Sequence, residues 1–291
     1  MIGLDPSLAT HSIVHRHAST RFYQFAHVPR LPDGSIARYC HVMRACWLLL
    51  CVIGMAALVS CQRETQVQRA NREGILLVGN GGEPKALDPH LVTGVIEAKI
   101  IGTLLQGLVA DDAESDTATP PGAATHWEHS ADFRQWTFHL RRDGCWSDGK
   151  ALTSKDFLFA YQRMLEPKLL APYVEMLYFI DKAEEYNRGE LLDFSQVGVS
   201  APDDYTLNLR LREPVPFLPS ITRHYTWFPL PEHVVRRFGC IDDRFTPWCE
   251  PGNMVGNGAF VLKSWRLHDH VAVEKNPVSY THLTLPTKRI V

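Results

Sequence analysis

The chain has 291 residues, 45% hydrophobic and 21% charged, an ordinary globular composition with enough apolar material for one large domain or two small ones. Its 30 basic and 32 acidic side chains are interspersed and leave a formal charge of -2 at pH 7. That balance argues against a binder of nucleic acid or other polyanions.

Residues 1–42 hold a His/Arg-rich stretch, HSIVHRHASTRFYQFAHVPR, with neither helical nor strand periodicity, and are expected to be non-structural sequence upstream of a start at Met43. From Met43 the pattern changes: Arg44 supplies a positive charge, Ala45 to Ser60 carry none, and Cys61 opens the polar run QRETQVQRANRE. Charge, apolar stretch, small residue and cut is the order of a secretory signal, here residues 43–60. The 16 uncharged residues are short for a transmembrane helix, which needs about 20. A buried core helix would leave the polar run after Cys61 unexplained.

Leu58-Val59-Ser60-Cys61 resembles the lipobox of bacterial lipoproteins, which implies that Cys61 becomes the first mature residue and carries lipid; the alternatives are a plain signal peptide or a membrane anchor. Of seven cysteines, Cys40, Cys46 and Cys51 then fall in the removed part. Cys240 and Cys249 could close a small loop in an oxidising compartment, leaving Cys145 single, or all three could be unpaired. No Cys/His spacing suggests zinc.

Along the mature part, Gly74 to Gly82 reads as a short apolar strand closed by a glycine turn, and EPKALDPH as a turn bracketed by prolines. VIEAKIIGTLLQGLV has helical spacing, and Asp111 to Gly122 is an acidic, proline-bearing loop. Trp136, Phe138 and Leu140 alternate as in a half-buried strand. Ser147-Asp148-Gly149 marks a turn. Thr153 is placed as an N-cap, with Asp156 three residues on and the helix running to about Leu165 before Pro167 stops it. Tyr205, Leu207, Leu209 and Leu211 share one face of a second alternating strand. Helices and strands without a regular βαβ repeat favour a mixed α+β or irregular α/β fold.

Five stretches, taken in order, resemble the bacterial extracytoplasmic solute-binding proteins of peptide ABC transporters, the oligopeptide/dipeptide class of family 5. They are Glu83 to His90, Leu104 to Asp112, Pro121 to Pro167 with its WTFHLR and WSDG pair, Val197 to Phe217, and VGNGAFVLKSW from Val255 to Trp265. The resemblance implies a type II periplasmic-binding-protein-like bilobal α/β fold with an inserted domain. On that map residues 61–105 are a tether and the start of lobe I, 106–231 the inserted domain, and 232–277 an incomplete return into lobe I. The second lobe is expected to be missing, and residues 278–291, which have no family counterpart, are expected to be an artefactual tail of read-through sequence outside the fold, the alternative being a genuine divergent end.

The resemblance also implies chemistry. Peptides are held through their main chains, so Thr93, Gly94 and Val95 are expected where lobe I backbone meets the ligand, with Gly94 allowing close approach. Tyr173 matches a family tyrosine that faces the ligand. An acid is expected where Thr93 stands, so a charge contact is doubtful there. Each position has a plainer alternative: a turn before a helix for Thr93 to Val95, and a core aromatic for Tyr173. Trp146, Asp148 and Gly149 are read as a packed indole and a tight turn. His126 and His129, if helical, would form an i, i+3 pair, and are read as surface histidines without metal.

No nucleophile elbow, metalloprotease helix, P-loop or dinucleotide fingerprint appears, so neither catalytic residues nor a cofactor are expected. The function implied is that of a monomeric lipoprotein, anchored to the membrane through Cys61 in the periplasm or cell envelope, which captures peptides and delivers them to the permease subunits. This chain, with half a cleft, is expected to bind weakly. Other expectations kept open are a family member taking a nickel chelate, haem or another solute, an envelope hydrolase, and a chaperone-like lipoprotein.

Overall fold

The computed structural model describes residues 35–59, 64–112, 115, 119–279 and 288–290. The chain divides into two units, residues 1–63 and 64–291. The described part of the first is a single helix, α1 (Ser35–Val59), which begins ahead of Met43, so the segment expected to be non-structural is helical from Ser35. Its Trp47, Leu48, Leu49 and Leu50 are exposed. Among the described residues no helix is long and apolar enough to cross a membrane. Cys61 lies outside the described residues.

The second unit opens with α2 (Gln66–Arg72), where a polar tether was expected. Thr65 and Gln68 form a reciprocal capping box, the Gln68 amide donating to Thr65 Oγ1 (3.2 Å) and the Thr65 amide to Gln68 Oε1 (2.9 Å). There follow β1 (Ile75–Leu77), α3 (Val95–Leu104), β2 (Ala124–His129), β3 (Gln135–Leu140) and α4 (Ser154–Leu165). Next come α5 (Ala183–Asn187), β4 (Val199–Asp203), β5 (Thr206–Arg210), α6 (Leu218–Ile221) and α7 (Glu232–Phe238). The last three elements are β6 (Phe260–Arg266), β7 (His270–Lys275) and β8 (Lys288–Ile290).

Among the described residues the strands form two four-stranded sheets. One has the order β1-β8-β7-β6, with β1 and β8 parallel and the other pairs antiparallel. The tail expected outside the fold thus supplies β8, whose backbone fills the slot between β1 and β7. The other sheet, β2-β3-β5-β4, is antiparallel throughout, and all its strands fall within residues 106–231. Alternation decides its inner face: Trp136 pairs with Leu209 and Phe138 with Leu207, all four buried. Helix α4 packs on β4 and β5 through its apolar stripe, and Tyr161 meets Trp227 edge to face at 5.4 Å.

The α4 boundaries are as expected from sequence. Asp156 accepts from the Thr153 amide at 2.8 Å and from its hydroxyl at 3.1 Å, so the carboxylate serves the first turn. The WSDG reading also holds: Trp146 is fully buried, Gly149 has φ +86°, and its amide closes the turn on the Trp146 carbonyl at 2.8 Å. Asp148 reaches His233 on α7 at 2.7 Å.

VGNGAF is a docking device as well as a turn. Asn257 is fully buried and mimics a strand partner for Gln106, its Oδ1 accepting from the Gln106 amide (3.0 Å) and its Nδ2 donating to the Gln106 carbonyl (2.9 Å). Gly256 and Gly258 flank it because a Cβ on either would lie 2.1 Å and 2.6 Å from backbone atoms of α3's last turn. Asn257→Ala removes both of these hydrogen bonds to Gln106 from a partly buried site and is expected to lower unfolding free energy by about 1–3 kcal/mol, read from urea titration. A change below about 0.5 kcal/mol would mean that the amide adds little.

Candidate functional site

The turn EPKALDPH is fixed from below by a buried charge cluster. Asp88 receives both terminal nitrogens of Arg163 on α4, Nη1 at 3.0 Å and Nη2 at 2.6 Å. The Trp248 indole donates to the same carboxylate at 3.1 Å, and the His90 amide at 3.0 Å. Arg163 is fully buried, and Asp88 and His90 nearly so. Burial alone would raise the Asp88 carboxyl, but the Arg163 charge and hydrogen bonds outweigh it and hold the group below its ordinary value. Burial and the same guanidinium drive His90 down to about 3, so its ring is neutral and Nδ1 accepts from Arg163 Nη1 at 3.2 Å.

Two tyrosines then fasten the next residues by their carbonyls. Tyr225 donates to the Val92 carbonyl at 3.1 Å and Tyr173 to the Thr93 carbonyl at 3.2 Å. With Val92 and Thr93 held, α3 starts at Gly94, which caps it without a side chain. Glu97 folds back over this end and accepts from the Lys85 amide at 2.8 Å; a Cβ at Gly94 would lie 1.9 Å from its Oε2. A side chain at Gly94 would therefore have to displace the Glu97 carboxylate from its contact with the Lys85 amide.

Thr93, Gly94 and Val95, and Tyr173 some 80 residues on, all expected at the ligand from the family resemblance, line one cavity of about 320 Å³. Asp111, Arg223, His224, Tyr225 and Phe228 also line it, with Ala98 and Gly102 from α3. Arg223 and Asp111 approach to 3.8 Å at the rim, giving it charges of both signs. His224 stands between the two tyrosines, 5.8 Å from the Tyr173 ring and 4.1 Å from Tyr225, and burial lowers its pKa. The first amides of α3 have no intrahelical acceptor, so the cleft offers main-chain donors, an aromatic wall and a mixed-charge rim. Such a surface suits a ligand that carries carbonyls and both charges.

Sequence reasoning missed the 223–228 segment. Its run RHYTWF contains the signal, but Trp227 is fully buried while His224 faces the cleft, and nothing in the residue types separates those fates. The structure also chooses between alternatives left open for two cysteines and two histidines. Cys240 and Cys249 are free thiols, the former exposed and the latter buried among Asp88 and its partners, where burial and the Asp88 charge push the thiol up to about 12. His126 and His129 are both exposed on β2, in keeping with their reading as surface histidines, and residues three apart on a strand face opposite sides, so they form no helical pair.

A mixed α/β body with an open cleft of main-chain donors is the arrangement of a solute-binding protein, and solved structures of that class superpose on it. The Haemophilus influenzae OppA complex with the peptide RPPGFSPFR matches with a TM-score of 0.69 at 36% identity, over 75% of this chain and 41% of that one. The family described as bacterial extracellular solute-binding proteins, family 5, matches residues 118–287, and this chain belongs to it. The class is one of binding proteins and not enzymes. Curated relatives include the periplasmic oligopeptide-binding protein OppA of H. influenzae, 37% identical over 205 residues, which are 70% of this chain and 36% of the relative. The probable deoxycholate-binding periplasmic protein YgiS of Escherichia coli is 36% identical over 200 residues, 68% of this chain and 36% of the relative. The chain thus spans 36% to 41% of the length of these proteins.

The cluster under the cleft makes stability depend on pH. Unfolded His90 takes up a proton near 6.5 but folded His90 only near 3, so between those values the unfolded chain binds more protons and stability falls with falling pH. One such proton gives a slope of about 1.4 kcal/mol per pH unit. His224 acts in the same direction. Urea titrations from pH 6.5 to 4.5 should show this loss, and His90→Asn, which keeps an acceptor for Arg163 but no titrating ring, should show a shallower one. Parallel slopes for the two proteins would remove His90 from the account.

Proposed function

We propose that this chain supplies one wall of the ligand cleft of a peptide-binding component of an ABC transporter. Peptide main chain lies along Thr93, Gly94 and Val95, with Tyr173 against a side chain of the ligand, so that affinity comes from groups every peptide shares. The observation that carries the reading is the convergence of these four residues in one cavity at the start of α3. The named ligands of the relatives support it: OppA proteins are oligopeptide-binding, and one is solved with a nine-residue peptide.

In this reading residues 106–231 form the inserted domain, since they contain every strand of the second sheet, and residues 61–105 with 232–277 belong to lobe I. Cys61 carries the lipid that holds the protein outside the cytoplasmic membrane, and the ligand-closed state docks on the permease. One observation favours a second ligand class within the same transport role: the deoxycholate-binding name of a relative at 36% identity. The aromatic wall of Tyr173, Tyr225 and Phe228 would accept an apolar solute of that kind.

Amide NMR spectra of the chain, titrated with a mixture of tri- to pentapeptides and separately with deoxycholate, test the proposal. Peptide is expected to shift the signals of residues 93–97 first and saturably, with weak affinity, and Tyr173→Ala to diminish those shifts while leaving the spectrum folded. Saturable shifts from deoxycholate alone would move the assignment to the second class, and peptide-induced shifts confined to other surfaces would refute the site.

A further inference from the structure

On the outer face of the inserted-domain sheet, away from the cleft residues, β2 and β3 bring together His126, Glu128 and His139. The register sets His126 directly opposite His139, and Glu128, two residues along β2, shares their face. The two imidazoles stack with centroids 4.3 Å apart and planes within 13°. One potential ligand atom from each of the three residues lies within 4.8 Å of the others. Trp127 and Phe138 occupy the opposite face of the same strands and pack against one another, so the backbone under the cluster is anchored in the core.

A second feature prepares one ring for coordination. The pairing of β2 with β3 is irregular between Ala124 and His126, which places the Thr125 hydroxyl beside the His126 ring. Thr125 Oγ1 has a single proton, which it donates to the His139 carbonyl at 3.1 Å. It also lies 2.9 Å from His126 Nδ1, and with its proton on the carbonyl it accepts there from the tautomer that carries the ring proton on Nδ1 and leaves a lone pair on Nε2. A histidine that donates one ring nitrogen to a neighbour and offers the other is the form in which metal ligands are held. His139 Nε2 already meets Glu128 Oε1 at 2.8 Å, a carboxylate–imidazole contact that a cation can enter when the ring proton moves to Nδ1 or to solvent.

We infer that His126, Glu128 and His139 form a divalent transition-metal site that clips edge strand β2 to β3. Two imidazoles and one carboxylate suit zinc, nickel or copper and not magnesium or calcium, which prefer oxygen alone. Three protein ligands leave at least one position for water. The consequence is local stabilisation: among the described residues β2 pairs with β3 alone, and a bridging ion would suppress its fraying.

Calorimetric titration of the full chain with zinc chloride tests this, with magnesium chloride as the control. One zinc-specific site is expected, weakened by at least about tenfold in His139→Asn and in His126→Gln, and less severely in Glu128→Gln. Because other histidines can bind zinc weakly, thermal unfolding is measured on the same proteins. Zinc should raise the midpoint of the parent and not of either histidine variant, whose metal-free midpoints serve as their own reference. Equal zinc affinity in parent and variants, no binding at all, or a midpoint shift that survives both substitutions would overturn the inference.

Discussion

The contact between Asp88 and Arg163 is the constraint on which the cleft depends. Taking two charges out of water costs several kcal/mol each, and the pair is tolerable only because both guanidinium terminal nitrogens and both carboxylate oxygens are used. Its location gives it consequence. Asp88 lies in the turn before α3, Arg163 on α4 and Trp248 in the turn after α7, so one carboxylate joins three segments distant in sequence. Everything at the cleft is built outward from that joint: His90 turns inward, the Val92 and Thr93 carbonyls meet Tyr225 and Tyr173, and Gly94 starts the helix.

Much of this was legible in the sequence where a periodicity or cap forces the outcome. The β3 alternation, the Thr153 to Leu165 helix and the WSDG turn need only nearest-neighbour rules, and each appears as read. The capping box at Thr65 and Gln68 follows the same rule, but the polar composition around it hid a helix inside an expected tether. What depends on distant partners was not legible. Nothing in ALDPH announces that its aspartate is buried against an arginine 75 positions away, and nothing in GNGA says that its asparagine completes the backbone pairing of Gln106. The tail is the converse case: without alternation, Lys288–Ile290 pairs only because two strands already present backbone edges.

The site residues show the same division. Thr93, Gly94, Val95 and Tyr173 came from family resemblance, and the structure adds why they assemble: a tyrosine hydroxyl ties one to the other. Their closest neighbours, His224 and Tyr225, carry no local pattern that distinguishes a cleft wall from a core. The His126–Glu128–His139 group was invisible for another reason. It requires knowing that residues 126 and 139 are cross-strand partners, whereas a helical reading of the same stretch pairs His126 with His129.

If the buried pair holds the cleft loop, loosening the pair must loosen the loop before it loosens the sheets. The most direct measurement is amide hydrogen exchange, resolved by residue, in Arg163→Met, with Trp248→Phe as a milder variant should the first fail to fold. The account expects exchange at residues 91–97 to accelerate by an order of magnitude or more while the β3 and β5 amides stay protected. Unchanged protection at 91–97, or acceleration spread evenly through α3, β3 and β5, would contradict it.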